Sequence, residues 1–268
     1  MRAFRIKDLR LIRDILSTMG LITAEALILD VTDLHDRDRI VTFLTREHGK
    51  KRGVAKGARV KHSRFGGQLQ PLAKAQVTWF EKEGRDLARI SSVELVRTAH
   101  PLQTDLEGIL LGSYLADHLL EFAQEGEASD HLYRLLDATI QALLAGVDRD
   151  LAARYFEAWV LRLAGIFPAP NACPACGSPF PPEGAVLPRS GETLLCLDCG
   201  GRSGFAVSPA TLEFLCRIGR EGLPAVAERP PSPAVLRQVE DLCAQVRRYF
   251  LQRELRSYDV IQATLAKV

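Results

Sequence analysis

The sequence lacks the short motifs that mark the commonest enzyme chemistries. It contains no G-x-x-x-x-G-K-[ST] phosphate loop, no G-x-S-x-G nucleophile elbow, no H-E-x-x-H metal motif and no Rossmann glycine fingerprint. ATP hydrolysis, acyl transfer and hydride transfer therefore lack the residues that they need. We expect a protein that is not an enzyme.

Long hydrophobic stretches are also missing. No uninterrupted run reaches the roughly 18 apolar residues that a membrane-spanning helix needs. The N-terminal stretch carries Asp8 and Asp14 and has no apolar segment of the secretory kind. We therefore expect a cytoplasmic protein, in which cysteines serve as metal ligands or buried residues more readily than as disulfides.

Four of the six cysteines form two Cys-x-x-Cys pairs separated by nineteen residues: Cys173, Cys176, Cys196 and Cys199. Each pair can turn two sulfurs toward one centre, and two pairs complete a tetrahedron around one zinc ion. Four thiolates leave no open coordination position, so the predicted zinc is structural. A redox pair, an iron–sulfur cluster and chance buried thiols are the alternatives.

The zinc ribbon is predicted over residues 171–202, a stretch rich in Pro and Gly with few apolar residues for a core. Gly177 and Gly200 follow the two pairs and are expected to permit tight turns. The remaining cysteines, Cys216 and Cys243, lie in apolar helical patterns and are expected to pack as small hydrophobic residues.

The net charge of +2 hides a strong asymmetry along the chain. Residues 46–64 contain eight Lys or Arg and one acidic residue, whereas residues 101–170 contain eleven acidic residues and four Arg. A concentrated cationic segment favours a polyanionic partner, and nucleic acid is the expected one. A solvated basic loop is the alternative.

The cationic segment carries glycines that allow close approach of a phosphate backbone, and Phe65 is a candidate stacking surface. No pattern for reading base edges is present, so we expect little sequence preference. The candidate phosphate contacts are Lys50, Lys51, Arg52, Lys56, Arg59, Lys61 and Arg64.

Residues 24–98 show five short β-like segments, with a hairpin predicted at Gly49, and suit a small barrel. Beyond Pro101 the apolar residues recur at helical spacing, and two later helices each open with Ser-Pro. The predicted fold is α+β: a five-stranded OB-fold barrel over residues 21–100, then an α-helical domain over residues 101–268 that carries the inserted ribbon.

The acidic turn at residues 34–39 raises a further alternative, a metal-dependent nuclease that uses Asp36 and Asp38. These carboxylates alternate with Arg37 and Arg39 along the chain, which favours an ion-paired turn that enters a strand. The fuller acidic cluster of a nuclease is missing from this stretch.

Two stretches carry a resemblance to a known family. The segment HDRDRIVTFLTREHGKKRGVAKGARVKHSRFGGQLQPL resembles the N-terminal barrel of the bacterial RecO recombination mediators, and CPACG…LLCLDCGG is similar to the zinc ribbon of their helical domain. The resemblance covers about residues 20–255 of the chain.

The resemblance implies an OB-fold domain joined to a helical domain with zinc, and a role in DNA repair and recombination at the nucleoid. It implies binding of single- and double-stranded DNA, annealing of complementary strands and assistance to RecA loading, with RecR and single-stranded DNA-binding protein as partners. It assigns DNA contact to the seven basic residues named above. Arg37 and Arg39 are added to them, unless these pair with Asp36 and Asp38 instead.

Two expectations remain beside this one. Residues 1–18 form an amphipathic extension, predicted as an added helix, unless translation begins naturally at Met19. A zinc-ribbon scaffold or transcription accessory that binds protein partners, with incidental nucleic-acid contact, is the alternative function. It would show no strand annealing.

Overall fold

The computed structural model describes residues 20–81, 87–189, 191–201 and 203–265. These residues form two compact units: one joins the chain up to Pro101 with Ala123–Tyr133, and the other joins Leu102–Phe122 with the chain from Arg134 onward. The extension predicted over residues 1–18, and Met19, lie outside the described residues.

The first unit is a closed barrel in the order β1-β2-β3-β5-β4, with β4 returning to β1. All neighbouring strands are antiparallel except β3 and β5, which run parallel. This arrangement confirms the predicted five-stranded OB-fold barrel. The strands are β1 (Leu21–Leu34), β2 (Asp38–Thr45), β3 (Lys50–Ala55), β4 (Lys74–Phe80) and β5 (Ala88–Arg97).

The barrel interior is filled by side chains from alternate strand positions. In β4, Ala75, Val77 and Trp79 are buried, while the residues between them are partly exposed. The Trp79 ring meets the edge of the Phe43 ring at 5.2 Å between centroids. This alternation fixes which side chains of each strand face outward.

Gly49 makes the reversal between β2 and β3, as predicted. Its φ is +61°, a conformation that favours glycine. A Cβ at this position would lie 1.9 Å from the carbonyl oxygen of Glu127. The hairpin therefore requires glycine for both its conformation and its packing.

The second unit is helical and contains a two-stranded sheet, β6 (Ala185–Leu187) with β7 (Phe205–Val207). The predicted Ser-Pro starts are confirmed, since the hydroxyl oxygens of Ser208 and Ser232 accept hydrogen bonds from the third following backbone N–H. The α-helices among the described residues are α1 (Leu106–Phe122), α2 (Asp130–Leu144), α3 (Arg149–Leu163), α4 (Leu197–Gly200), α5 (Pro209–Ile218), α6 (Leu223–Glu228), α7 (Pro233–Leu251) and α8 (Arg256–Leu265).

A buried polar network lies inside the helical unit around Glu157. Its carboxylate accepts a hydrogen bond from Tyr114 and pairs with Arg154 at 2.8 Å and Arg247 at 3.6 Å. Burial raises the pKa of Glu157 to about 7, against the opposing effect of the two arginines. The network satisfies charges that would otherwise be costly to bury.

Candidate nucleic-acid interface and metal centre

Strand β3 places neighbouring basic side chains on opposite faces of the barrel wall. Arg52 is exposed on the outer face, opposite Thr42 of β2. Lys51 shares the other face with Gly53 and Ala55, both of which are buried. The sequence predicts both residues as phosphate contacts, because charge alone does not show the direction of a side chain.

Lys51 is engaged inside the unit at the end of the barrel. Its Nζ lies 2.7 Å from Oε1 of Glu81, which also accepts a 2.9 Å hydrogen bond from Nε1 of Trp79. Burial raises the pKa of Glu81, but the hydrogen bonds from Lys51 and Trp79 outweigh that effect, and the net pKa is lowered. The pair links β3 to the end of β4, two strands that are not neighbours in the barrel.

Besides Arg59, the chain after β3 presents three exposed cations, Lys56, Lys61 and Arg64. Arg59 is held in place instead. Its Nη1 donates to the carbonyl oxygen of His35 at 2.6 Å, and its Nη2 lies 3.4 Å from Asp33. Lys56, Lys61 and Arg64 are therefore better placed than Arg59 to meet a phosphate, while all four stay predicted contacts.

The acidic turn pairs differently from the sequence expectation. Nε of Arg39 lies 3.2 Å from Oδ1 of Asp33, so the ion pair of Arg39 is with Asp33 and not with Asp36 or Asp38. Oδ1 of Asp38 accepts a 2.8 Å hydrogen bond from the backbone N–H of Gly57, which fastens the turn after β3. Arg37 is exposed, and no carboxylate among the described residues forms an ion pair with it.

Phe65 is not a stacking surface, and that prediction is wrong. The ring is completely buried in the barrel core, beneath the guanidinium of Arg64 at 4.8 Å from the ring centroid. Its position next to a basic residue suggested exposure, but the barrel needs a large apolar side chain there to close its interior.

Arg89 is an exposed cation that sequence reasoning missed. It lies on β5 between Ala88 and Ile90, which are buried, and its register partner on β3 is Val54. Arg89 therefore shares the outer face with Arg52. The alternation of apolar and polar residues at the start of β5 was the available signal, but the distance from the basic segment hid it.

An acidic strap, residues 124–130, runs along the β2–β3 hairpin within the first unit. The N–H of Lys50 donates to the carbonyl of Gln124, and the N–H of Gly126 donates back to the carbonyl of Lys50, both at 3.2 Å. The strap carries three carboxylates, of which Asp130 lies 3.8 Å from Arg46. Lys50, at the hairpin end of β3, thus has negative charge beside it.

The four predicted metal ligands meet in the second unit. The Sγ atoms of Cys173, Cys176, Cys196 and Cys199 all lie within 4.8 Å of one another, and those of Cys176 and Cys196 are 3.9 Å apart. Tetrahedral zinc, with Zn–S bonds of about 2.3 Å, places its sulfurs about 3.8 Å apart. The donor set and its spacing fit one structural zinc ion.

The first cysteine pair, Cys173 and Cys176, is followed by a tight turn at Gly177. Gly177 has a φ of +74° and donates its N–H to the carbonyl of Cys173 at 2.8 Å, as predicted for a tight turn. Backbone hydrogen bonds, that from Cys196 first, lower the pKa of the Cys173 thiol to about 6, whereas hydrogen bonds with the neighbouring sulfurs, that with Cys196 first, raise the pKa of Cys199.

Gly200 lies in the predicted turn, since its N–H donates to the carbonyl of Cys196 at 2.8 Å, but its own φ does not require glycine. It ends the short helix α4, and the left-handed conformation falls at Gly201, with φ of +65°. A Cβ on Gly200 would lie 2.6 Å from Cγ1 of Val186 in β6. Glycine is needed there for close packing of the ribbon.

The cysteine cluster is the single group of three or more His, Cys, Asp or Glu able to hold a metal within the described ranges. Asp36 and Asp38 are thus not part of such a group there. Of the other cysteines, Cys243 is buried, as expected, and Cys216 is half-buried. No helix in the described part of the chain is long and apolar enough to cross a membrane.

Comparison with known proteins gives matches over both units. Family models described as Recombination protein O N terminal and Recombination protein O C terminal match residues 19–99 and 103–259. A DNA repair protein RecO of Anaeromyxobacter sp. (strain K) is 35% identical over 240 residues, covering 88% of this chain and 94% of the relative.

Other relatives of the same name agree with this match. The RecO of Geobacter sulfurreducens is 35% identical over 79% of this chain and 86% of its own length. That of Moorella thermoacetica is 28% identical over 89% of both chains. With an OB-fold barrel, a helical unit and a four-cysteine ribbon, this chain belongs to the RecO family of recombination proteins.

Proposed function

We propose that this protein is a recombination mediator that binds single- and double-stranded DNA, anneals complementary strands and assists the loading of RecA at the nucleoid. The observation that carries the proposal is the set of exposed cations on β3, β5 and the turn after β3, on a barrel of the RecO family. Arg52, Lys56, Lys61 and Arg64 are the proposed principal phosphate contacts, with Arg37 beside them.

Annealing follows from such a surface without an active site. Two strands repel each other through their phosphates, and a cationic face lowers that repulsion while it leaves the base edges free to pair. Phosphate contacts carry no sequence information, so the protein can anneal complementary strands of any sequence. RecR and single-stranded DNA-binding protein are the partners that family membership suggests for the step at which RecA replaces the coating protein.

Zinc has a supporting role in this proposal. The four cysteines would hold one ion that organises residues 171–202, where the chain offers few apolar residues. Because the four thiolates complete the coordination shell, the ion supplies folding energy and no position for a substrate.

Annealing of two complementary labelled oligonucleotides tests the proposal, with and without single-stranded DNA-binding protein. The test variant is R52Q/K56Q/K61Q, and the matched control is R220Q/R237Q/R256Q, which removes three exposed arginines of the helical unit. We expect annealing at least tenfold slower in the test variant and near the wild-type rate in the control, since lost phosphate contacts weaken binding.

Absence of annealing by the folded, zinc-loaded wild-type protein would contradict the proposal. In that case a zinc-ribbon scaffold for protein partners becomes the better interpretation. Equal loss in both variants would show that net charge, and not this face of the barrel, controls the reaction.

A further inference from the structure

A row of outward-facing residues crosses the barrel wall at the end of β4. The strand registers pair Leu21 with Phe80, Phe80 with Arg89, and Arg89 with Val54. Residues paired in register point to the same face of a sheet, and the adjacent Trp79 and Ile90 fill the core. Phe80 and Arg89 are therefore cross-strand neighbours on the outside of the barrel.

The two members of this pair have complementary chemistry for a nucleotide. Phe80 is a partly exposed aromatic ring, and Leu21 beside it is 49% exposed. Arg89 is exposed, and no described carboxylate forms an ion pair with it. A ring beside a guanidinium offers a flat apolar surface for a base and a cation for the phosphate that follows it.

Arg52 extends the cationic side of this surface. It lies two residues before Val54 on β3, which places its side chain on the same outer face. A strand whose base rests on Phe80 can thus meet Arg89 and then Arg52 with its backbone. Phe65, the aromatic residue expected for stacking, is inside the barrel, so Phe80 is the described ring available on this face.

We propose that Phe80 and Arg89 form a base-stacking subsite for single-stranded nucleic acid, adjacent to Arg52 on the outer face of the barrel. The inference rests on the proposed DNA-binding function and adds a distinction between substrates. Bases of a duplex are stacked on both sides and cannot cover Phe80, whereas an unpaired base can. The subsite therefore serves single strands.

Binding of a labelled oligonucleotide in single-stranded and duplex form tests the subsite with F80L, F80W and R89Q. Loss of one stacked base corresponds to about a tenfold loss of affinity. We expect F80L to bind the single strand about tenfold more weakly and the duplex within twofold of wild type, and F80W to bind the single strand like wild type. R89Q is expected to weaken both forms and to reduce the salt slope by about 0.7 on the single strand.

Fluorescence of 2-aminopurine in the oligonucleotide gives a readout that a folding defect does not imitate. Stacking on Phe80 is expected to change the emission with wild type and F80W, and not with F80L of unchanged melting temperature. If wild type binds the strand and F80L binds it equally well with the same emission, the subsite is overturned and the proposed function stands. If wild type binds no DNA, the proposed function fails first.

Discussion

The side chains of Lys51 and Arg52 leave β3 on opposite faces of the barrel wall, and this difference separates stability from binding. Lys51 is paired with Glu81 at 2.7 Å, and its side chain is 21% exposed. Arg52 is exposed, and no ion pair joins it to a described carboxylate. Replacement of each residue should therefore change a different measured property.

We predict that K51M lowers the free energy of unfolding by about 1 kcal/mol, a modest value because the carboxylate of Glu81 is partly solvated. R52Q should leave that free energy within about 0.5 kcal/mol of wild type and weaken DNA binding. Urea unfolding and fluorescence anisotropy on both variants measure the two effects. The reverse pattern would contradict the assigned roles.

The effect of K51M should also depend on pH with a defined sign. The pKa of Glu81 is lowered in the folded protein from its ordinary 4.5, so the carboxylate stabilises the fold fully above that value. The contribution is lost as pH falls through the lower folded pKa. The difference in unfolding free energy between wild type and K51M should therefore shrink in acid and stay constant from pH 6 to 8.

At the level of single residues, the sequence predicted the metal ligands well and the orientation of side chains in the barrel poorly. The four cysteines were predictable because residue type and spacing are enough to identify such metal ligands. Phe65 and Phe80 were not, because both are aromatic residues near basic ones. Only the structure shows that Phe65 is buried in the barrel core and that the register of β4 turns Phe80 outward.

Among the elements, the zinc ribbon is the one with the clearest experimental handle. We predict that C196S reduces bound zinc from about one ion per chain to a small fraction and lowers solubility and melting temperature. DNA affinity per folded molecule should fall less than stability does. Metal analysis with thermal unfolding measures this, and C216S, outside the cluster, is the matched control.

A C196S protein that keeps zinc and melts like wild type would contradict a four-thiolate site. Removal of metal from wild type with a chelator should reproduce the loss of stability seen in C196S. If the two treatments differ, a ligand outside the four cysteines has to be considered.

Secondary structure was predictable where local chemistry determines it. Ser-Pro fixes the start of α5 and α7 through a hydroxyl cap and a preset φ, and Gly49 fixes the hairpin through its positive φ. The turn at Gly200 was predicted correctly, but the reason for glycine there is tertiary: the contact with Val186 comes from another part of the ribbon. A sequence shows glycine in both cases but not the reason for it.

At the scale of the whole molecule, the acidic strap brings negative charge from the helical half of the sequence to the barrel. Glu125 and Glu127 are exposed beside the β2–β3 hairpin, where the strap is held by backbone hydrogen bonds. In the sequence these carboxylates belong to the acidic stretch of residues 101–170, far along the chain from the basic stretch of residues 46–64. Composition does not show that the strap packs against the barrel, because the backbone hydrogen bonds that hold it join Lys50 to Gln124 and Gly126, far apart in the sequence.

We predict that E125Q/E127Q strengthens DNA binding about two- to fivefold at low salt, with the gain shrinking as screening increases. The backbone bonds of the strap are unaffected by these changes, so the fold should be unchanged. Anisotropy titrations at two salt concentrations measure the effect. The control E213Q/D241N removes two exposed carboxylates of the helical unit and should leave affinity near wild type.

The strap also means that the first compact unit is built from two separate stretches of the chain. A fragment cut at Pro101 would contain all five strands but would lack residues 123–133, which the structure groups with them. The N–H and carbonyl of Lys50 and the carbonyl of Arg46 would lose their backbone partners at an open edge. The first 101 residues are thus not a complete folding unit. A chimera that exchanges the barrel between relatives would have to include the chain through residue 133, and so α1 as well.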